Sequence, residues 1–413
     1  MSSQDFYDRY ETQDAEAREA ALLAALPKQI ATAQKKAPFY AKALAEVDAR
    51  AVTSRAALAQ LPVTRKSALV ELQRSEPPLG GLAAVAESAI LRFYGSPGPI
   101  YEFETGRADF WRMARALFAA GFRKGERLHN CFAYHLTPGG WMLDSGARAL
   151  GCSVVPGGVG NSEQQVEAIA QLRPNGYSGT PDFLKVLLDK AMELRRDISS
   201  LKKALVSGAA LPASLRSELE ARGVKTRQCY ATADLGLIAY ESDAADGMIV
   251  AEEILVEILR PGTGDPIPER EVGEVVVTSL NPDYPLIRFA TGDLSAVLPG
   301  QSSCGRSNLR LKGWMGRADQ TAKVKGMFVH PGQVAAAVKR HPEVKRARLV
   351  VERVGESDVM TLHCEVAGGD PALEAAIAKS LQEACKVKGA VALVAPGSLA
   401  NDGKVIEDRR PTG

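Results

Sequence analysis

Cysteine pairs, an excess of one charge sign and long apolar runs are all missing from this sequence of 413 residues. The six cysteines lie far apart and form no CxxC pair: Cys131, Cys152, Cys229, Cys304, Cys364 and Cys385. Such spacing is typical of reduced thiols and not of a disulfide framework or a zinc site. We therefore expect no disulfide and no structural metal.

The charge balance excludes nucleic acid as a partner. A formal net charge of +2, with 24% charged and 46% hydrophobic residues, is typical of an ordinary globular protein and not of a nucleic-acid binder. The N-terminus, MSSQDFYDRYETQDAEAREA, is acidic and helix-forming, without the apolar core of a signal peptide. No apolar run is long enough to span a bilayer. We expect a cytoplasmic protein with no nucleic-acid or membrane partner.

The length predicts two or three domains. Between residues 108 and 230, short apolar strands alternate with amphipathic helices. Ser162, with Gln165 three residues later, predicts a capping box, and Thr180 before Pro181 predicts a capped helix start. Repeated strand and helix units with short connections predict a doubly wound, mainly parallel sheet covered on both faces. Ligands bind such sheets beyond the carboxyl ends of the strands.

The pattern changes after residue 230. Residues 254–259 and 273–278, separated by a turn-rich segment, predict hairpin strands of an antiparallel β subdomain. Residues 331–394 predict the helices and strands of a compact α+β domain that is small enough to move as a unit. We therefore predict an α/β fold with an N-terminal domain at residues 1–316, a hinge at 317–320 and a small mobile C-terminal lid domain at 321–413.

Two stretches place polar side chains at strand ends. In residues 287–293, IRFATGD, Asp293 is suited to accept two hydroxyl hydrogen bonds from a ribose. An Asx turn that closes a hairpin is the alternative. In residues 228–234, QCYATAD, an amide (Gln228), an aromatic ring (Tyr230) and an acid (Asp234) follow one another. A core tyrosine with a polar loop behind it is the alternative there.

Two further stretches combine glycine with cationic side chains. In residues 316–326, GRADQTAKVKG, Arg317 is suited to pair with a phosphate or a ribose, and Lys323 and Lys325 are suited to approach another anion. In residues 401–406, NDGKVI, Lys404 stands on a tight turn. A solvated surface position is the alternative for each lysine.

These four stretches, in this order, resemble the adenylate-forming superfamily of acyl-CoA synthetases, luciferases and peptide-synthetase adenylation domains. Within it the chain is most similar to the phenylacetate-CoA ligase family. The markers that carry this resemblance are residues 38–40 (PFY), 61–66 (LPVTRK), 157–161 (GGVGN), 179–181 (GTP), 285–288 (PLIR) and 304–306 (CGR). The resemblance covers nearly the whole chain and implies a large N-terminal domain with a rotating C-terminal lid.

The resemblance implies a site for ATP and Mg²⁺ in the N-terminal domain. The residues implied are Asp293 for the ribose hydroxyls, Tyr230 and the backbone of Gly208, Ala209 and Ala210 around adenine, Gln228 at its amino edge, and Asp234 at the position of a Mg²⁺-linked glutamate.

The resemblance also implies roles in the hinge and the lid. Arg317 would contact the nucleotide, and Asp319 would be the pivot. Lys404 would neutralise the carboxylate and the α-phosphate as the acyl-adenylate forms. After rotation of the lid, the segment that begins at Lys323 and includes Lys325 and Gly326 would border the tunnel for the pantetheine of coenzyme A.

Three positions depart from the family pattern. At the expected phosphate loop, residues 94–100 read YGSPGPI, with one hydroxyl, Ser96, and no lysine. Ala233 stands where the family has a threonine, and Ala290 stands where it has a second basic residue. Because each charge-assisted hydrogen bond contributes about 1.5–3 kcal/mol, these losses should weaken ATP binding. Either ATP is held differently or the protein no longer adenylates.

The aromatic pocket wall of the family corresponds to a short segment after the first strand of the predicted parallel sheet. Its residues are Phe132, Tyr134, His135, Gly140 and Trp141. For Phe132 and Trp141, packing in the core is the alternative. A planar aryl or arylalkyl acid suits such walls through stacking and apolar burial, and His135 would add a polar contact.

The sequence therefore predicts an ATP-dependent ligase that forms an acyl-CoA thioester from an aromatic acid through an acyl-adenylate, with the lid rotating between the two steps. Transfer of the adenylate to a carrier protein or an amine is one alternative. A non-catalytic nucleotide or acyl binder with a degenerate phosphate loop is another. Retention of Lys404, Arg317, Asp293 and Asp234 favours the enzyme. A homodimer is implied by the resemblance alone.

Overall fold

The computed structural model describes residues 5–96, 99–268, 270–324, 327–354, 357–400 and 404–410. Its α-helices are Ala15–Lys36 (α1), Pro38–Ala43 (α2), Arg55–Ala59 (α3), Leu69–Ser75 (α4), Met113–Ala119 (α5), Gly139–Leu150 (α6), Ser162–Leu172 (α7), Pro181–Glu193 (α8), Ala213–Ala221 (α9), Pro331–Val338 (α10) and Pro371–Cys385 (α11). None of the helices in these described ranges combines the length and the hydropathy needed to cross a bilayer.

The strands of the first three quarters of the chain are Thr64–Arg65 (β1), Ile90–Ser96 (β2), Ile100–Thr105 (β3), Arg127–Asn130 (β4), Ser153–Pro156 (β5), Gly176–Gly179 (β6), Lys203–Val206 (β7), Lys225–Thr232 (β8), Gly236–Glu241 (β9), Met248–Val250 (β10), Ile254–Leu259 (β11), Gly273–Ser279 (β12), Phe289–Ser295 (β13), Val297–Leu298 (β14) and Arg310–Leu311 (β15). The remaining strands are Ala322–Val324 (β16), Met327–Val329 (β17), Arg346–Val354 (β18), Ser357–Glu365 (β19), Ala390–Val394 (β20) and Ile406–Asp408 (β21).

A nine-stranded sheet forms the centre of the large body, in the order β14-β15-β10-β9-β8-β7-β6-β4-β5. The strands from β5 to β8 are parallel. From β8 onward the same sheet continues with antiparallel pairs. The predicted parallel sheet is therefore confirmed, but it is the parallel part of a larger mixed sheet.

A second sheet, in the order β1-β13-β12-β11, contains the predicted antiparallel hairpin strands. β11 pairs antiparallel with β12 over its full length, and β13 continues the sheet. β1, from the N-terminal layer, adds to β13 in parallel. The mixed α/β architecture confirms the predicted fold class.

The last residues of the described chain form a smaller body around the sheet β20-β19-β18-β21, with α10 and α11 packed against each other. Its apolar core is separate from that of the large body and begins at Ala322 and Val324. A separate core is what allows a domain to move as a unit. The limits assigned to the domains and the hinge stay predictions.

The predicted capping box at the start of α7 is wrong in its details. The helix begins at Ser162 with Asn161 as its N-cap, and Gln165 does not turn back to cap it. Instead, Gln165 Oε1 lies 2.8 Å from His129 Nε2 on β4, and Gln165 Nε2 donates to the carbonyl oxygen of Gly160 at 2.7 Å. Burial lowers the pKa of His129, so the neutral ring donates this bond. The glutamine therefore joins the glycine-rich loop to the parallel sheet.

The predicted helix start at Pro181 is confirmed, but the cap is not. Thr180 is the N-cap residue, yet its hydroxyl makes no capping hydrogen bond within the described chain. Pro181 occupies the first turn, where its missing amide hydrogen would have had no helical partner. The proline and not the hydroxyl accounts for the helix start.

Arg288 joins the N-terminal layer to the antiparallel sheet. Its side chain is buried and forms two hydrogen bonds of 3.0 and 3.1 Å with the Glu257 carboxylate. The same guanidinium donates to the backbone carbonyl oxygens of Ala59, Leu61 and Gly264. Removing either member of such a pair leaves a buried charge without its partner.

We expect Arg288→Ala to lower the free energy of unfolding by about 3–5 kcal/mol, because Glu257 is left buried and unpaired. Chemical denaturation followed by circular dichroism measures this change. The control is Arg74→Ala, which removes an exposed pair with Glu71 and should change the same quantity by about 0–1 kcal/mol. Equal losses in the two variants would contradict the importance of the buried pair.

Candidate functional site

Asp293, inside β13, is the point at which three parts of the chain meet. Its Oδ2 accepts a hydrogen bond of 2.9 Å from the Tyr230 hydroxyl at the end of β8. Its Oδ1 accepts hydrogen bonds from Trp314 Nε1 at 3.1 Å and from Arg317 at 3.3 Å. A Cβ on Gly292 would lie 2.8 Å from the Arg317 guanidinium, so glycine permits this approach. The alternative of a turn that closes a hairpin is wrong, because Thr291, Gly292 and Asp293 lie within the strand.

Tyr230 is both a core residue and a member of the site, the two alternatives that the sequence left open. Its ring is buried, as in a core tyrosine, while its hydroxyl contacts Asp293. Burial, followed by the neighbouring charge of Asp293, raises the pKa of Tyr230 well above its ordinary value. The hydroxyl therefore stays protonated and donates to the carboxylate.

The loop after β7 lies at the carboxyl end of the parallel strands, next to β8. Gly208, with φ of +75°, turns the chain there, and Ala209 and Ala210 are exposed. Gln228 on β8 directs its amide nitrogen to Glu241 at 2.8 Å. Contact of these four residues with an adenine ring stays a prediction.

Asp234 is buried just beyond β8 and lies 2.6 Å from the Lys66 ammonium group through Oδ2. Its other oxygen, Oδ1, has no hydrogen-bond donor among the described residues. A carboxylate oxygen is the ligand type that Mg²⁺ prefers, so this orphaned atom fits the cation that the family resemblance implies.

The phosphate loop connects β2 and β3, which form a hairpin in which Ser96 pairs with Ile100. The Ser96 hydroxyl donates to the Ile100 carbonyl oxygen at 3.2 Å. Pro97 and Gly98 lie outside the described residues. The one hydroxyl of this loop is therefore engaged within the hairpin, and a contact with phosphate stays a prediction.

The five residues assigned to the acyl pocket separate into two groups. Phe132 lies beside the nucleotide loop, since a Cβ on Gly208 would be 3.6 Å from its ring. Tyr134 and Trp141 pack edge to face at 5.2 Å, and Trp141 Nε1 donates to the Tyr134 carbonyl oxygen. Gly140 permits this packing, because a Cβ there would be 2.9 Å from the Tyr134 ring.

Trp141 lines a cavity to which Phe132 does not contribute. The Arg92 guanidinium lies 4.2 Å from the Trp141 ring centre, at a cavity of about 380 Å³ that Glu104 and Asp144 also line. His135, assigned to a polar contact with the acid, is exposed. The assignment of these residues to an aromatic pocket wall therefore stays a prediction.

The described residues assigned to the hinge and lid lie in the segment after β15 and near the end of the chain. Asp319 lies in the short 3-10 turn Ala318–Gln320, and Lys323 lies on β16. Lys404 is exposed, and the next amide, that of Val405, donates to Gln320 Oε1 at 2.8 Å. The segment that carries Lys404 is thus tied to the hinge turn. Lys325 and Gly326, assigned to the coenzyme A tunnel, lie outside the described residues.

Motif reasoning assigned no role to Lys66 or Trp314, although both contact predicted site residues. Lys66 is the last residue of the LPVTRK marker, and Trp314 lies three positions before Arg317. Their contacts join residues far apart in the chain, so the sequence shows only that each residue lies within or beside a family marker.

Comparison with known protein families gives two matches along the chain. Residues 135–281 match the family described as AMP-binding enzyme. Residues 326–410 match the family described as AMP-binding enzyme C-terminal domain. The second match begins close to the end of the segment predicted as a hinge.

Curated relatives share most of their length with this chain. Phenylacetate-coenzyme A ligase of Thermus thermophilus is 32% identical over 361 residues, which are 83% of this chain and 80% of that protein. The proteins of the same name from Aromatoleum evansii and Pseudomonas putida are each 29% identical, and they cover 92% and 87% of this chain and 91% and 84% of their own lengths.

Among solved structures, 2-hydroxyisobutyryl-CoA ligase is similar in three arrangements. Its open conformation with 2-HIB-AMP and CoA has a TM-score of 0.87 at 25% identity, covering 99% of this chain and 95% of that one. Its thioesterification state has a TM-score of 0.71 at 26% identity, with the same coverage. A postadenylation state has a TM-score of 0.78 at 27% identity, covering 99% and 94%. Of these three, the open conformation is the most similar to the present chain.

We expect a ligand at Asp293 to change the environment of Trp314, which is 56% exposed, whereas Trp111 is buried. Addition of ATP should reduce acrylamide quenching of the intrinsic fluorescence, because the ligand covers the indole or competes for its hydrogen bond. Trp314→Phe keeps an aromatic ring, removes the N–H donor and should abolish the ATP-dependent change. Trp141→Phe is the control and should retain it. Persistence of the full change in Trp314→Phe would refute this assignment.

Proposed function

Because this chain belongs to the phenylacetate-CoA ligase family of adenylate-forming enzymes, we propose that it activates an aromatic carboxylic acid with ATP and transfers the acyl group to coenzyme A. The family assignment confirms the resemblance that the order of the motifs predicted. Membership of the family implies an AMP-forming ligation of an acid to coenzyme A. That the acid is aromatic is the additional part of the proposal.

The reaction has two steps, in which an acyl-adenylate forms first and AMP is released second. A carboxylate oxygen of the acid attacks the α-phosphorus of ATP, the bond to the β-phosphate oxygen breaks, and pyrophosphate leaves. The sulfur of coenzyme A then attacks the carbonyl carbon of the acyl-adenylate, its thiol proton is lost, and AMP leaves as the thioester forms. Both steps place negative charge on phosphate oxygens, so catalysis depends on positioned cations and donors.

The observation that carries the proposal is the set of contacts at Asp293, where β8, β13 and the hinge meet. A carboxylate with both oxygens in use by Tyr230, Trp314 and Arg317 is held in a defined position. The two hydroxyls of a ribose supply the same kind of donor to the same oxygens. We therefore assign ribose binding to Asp293, with Arg317 moved from its carboxylate toward the nucleotide when ATP is bound.

Asp234 is the residue that would hold Mg²⁺ through its orphaned Oδ1. When bound, the cation would withdraw charge from the phosphate oxygens and orient them. Lys66, at 2.6 Å from the other oxygen, keeps the Asp234 carboxylate oriented. Lys404 is assigned to the developing charge on the carboxylate and the α-phosphate, and Asp319 to the pivot of the lid.

Two observations support an aromatic acid. The curated relatives described above are named for phenylacetate. Phe132, half-buried beside Gly208, presents an aromatic edge next to the nucleotide loop. An apolar ring with a short carboxylate arm suits that edge through burial of its surface. A cytoplasmic location and a homodimer stay predictions.

Incubation with Mg-ATP and a panel of aromatic acids, with and without coenzyme A, tests the proposal. We expect AMP and acyl-CoA to appear together when coenzyme A is present, and an arylalkyl acid to be used in preference to a short aliphatic acid. AMP without acyl-CoA would favour a carrier protein or an amine as acceptor. Nucleotide binding without formation of AMP from any acid would refute the enzymatic activity. It would support a non-catalytic binding protein, the alternative that Ala233, Ala290 and the short phosphate loop favour.

We expect Lys404→Ala to abolish acyl-adenylate formation and to spare thioester formation from preformed acyl-adenylate, because its charge serves the first step. Pyrophosphate release measures the first step, and acyl-CoA formation from synthetic adenylate measures the second. Lys388→Ala, an exposed lysine of the same domain, is the control and should leave both rates unchanged. Equal losses of both steps in Lys404→Ala would contradict the assignment.

A further inference from the structure

Val405, the residue after Lys404, joins the hinge turn to the sheet of the smaller body. Its amide donates to Gln320 Oε1 at 2.8 Å, and its carbonyl oxygen accepts from the Leu349 amide on β18 at 2.9 Å. β21 begins with the next residue, Ile406, which pairs with Leu349. Lys404 therefore immediately precedes a residue whose two backbone polar groups are both bonded.

The described chain is also anchored ahead of this lysine. The Leu399 amide donates to Glu365 Oε1 at 2.7 Å, and the Arg346 guanidinium donates to the Leu399 carbonyl oxygen at 3.0 Å. The Arg348 guanidinium donates to the Ala400 carbonyl oxygen at 2.9 Å. These charged side chains come from β18 and β19, so they fix the approach to the lysine against the sheet of the smaller body.

Gln320, by contrast, comes from the hinge turn, which lies between the two bodies. Before the turn, the Leu294 amide on β13 donates to the Gly316 carbonyl oxygen at 2.8 Å and holds the chain to the large body. After the turn, β16 enters the apolar core of the smaller body at Ala322. The bond from Gln320 to Val405 is therefore a link between the hinge turn and the end of the chain.

This bond makes the position of Lys404 depend on the hinge turn. Asp319, predicted as the pivot, is the residue before Gln320. Rotation at the pivot would carry Gln320, Val405 and Lys404 together, so the bond fixes the offset between the pivot and the lysine. Such an offset matters, because a misplacement of about 1 Å at an active site can cost about a hundredfold in rate.

We propose that Gln320 is a positioning residue for Lys404. Its side-chain carbonyl oxygen holds the Val405 amide, so that rotation of the lid delivers the adjacent ammonium group to the carboxylate and the α-phosphate. This inference rests on the proposed function for the role of Lys404. Gln320 acts through the backbone of the next residue, and the motifs of the hinge stretch assign it no role.

Two substitutions separate the acceptor atom from the shape of the side chain. Gln320→Met keeps the length and removes the carbonyl oxygen, whereas Gln320→Glu keeps an oxygen that accepts the Val405 amide. Pyrophosphate release at saturating substrates should slow by about tenfold to a hundredfold in Gln320→Met, because Lys404 is misplaced in the transition state. Its KM for ATP should stay within about twofold, since the contacts at Asp293 are retained.

The second half-reaction and the conservative variant complete the test. Gln320→Glu should release pyrophosphate within about threefold of the unmodified protein, since the acceptor is present. Acyl-CoA formation from synthetic acyl-adenylate should stay within about twofold in both variants, because that step does not use Lys404. Equal losses of both steps in Gln320→Met, or an equal loss in Gln320→Glu, would overturn the positioning role.

Gln333→Met is the matched control in the same domain. Gln333 Oε1 accepts from the His330 amide at 3.0 Å, and its Nε2 donates to the Ala384 carbonyl oxygen at 3.1 Å. Because it removes two hydrogen bonds, this variant should lower the melting temperature at least as much as Gln320→Met. It should leave both half-reactions within about twofold. A loss of pyrophosphate release equal to that in Gln320→Met would indicate a general loosening of the domain and overturn the proposal.

Hydrogen–deuterium exchange of the peptide that contains Val405, followed by mass spectrometry without substrates, tests the bond independently of turnover. Exchange should be at least about tenfold faster in Gln320→Met and unchanged in Gln333→Met. A protein that makes no AMP from any acid, but whose exchange depends on Gln320, would refute the ligase and keep the anchor. A protein that makes acyl-CoA, but whose exchange and pyrophosphate release are indifferent to Gln320, would keep the ligase and overturn the anchor.

Discussion

The position of the candidate site depends on one buried carboxylate, that of Asp293. Tyr230 reaches it from the mixed sheet, and Trp314 and Arg317 reach it from the segment that leads into the lid. A buried anion is stable only when donors surround it. The same requirement joins the mixed sheet, the antiparallel sheet and the segment that leads into the lid at one carboxylate.

The part of the site beside the phosphate loop contains two buried acids and one lysine. The loop between β2 and β3 contains one serine and no lysine, and the Ser96 hydroxyl is bonded within the hairpin. Next to it, Glu102 and Asp234 bring two carboxyl groups together with the ammonium group of Lys66. Binding of the ATP phosphates beside this loop stays a prediction.

Sequence reasoning was least accurate for polar side chains near helix starts. Gln165 has the spacing of a capping box, but its amide bonds His129 and the carbonyl oxygen of Gly160. Capping rules count only neighbours along the chain, whereas a buried histidine elsewhere competes for the same side chain. The aromatic acyl wall stays a prediction, and its members have different neighbours, because Trp141 packs against Tyr134 and Arg92 while Phe132 lies at the loop after β7.

The sequence by itself determined the family, the fold class and the residues of the nucleotide motifs, because those signals are short, contiguous and arranged in a recognisable order. It also predicted most strands and helices, since alternating apolar runs and glycine or proline boundaries are local. Tertiary structure alone decided that Trp314 shares Asp293 with Arg317, that Lys66 pairs with Asp234, and that Glu102 joins them. These contacts connect residues far apart in the chain, and burial makes their charges interdependent in a way that no local pattern encodes.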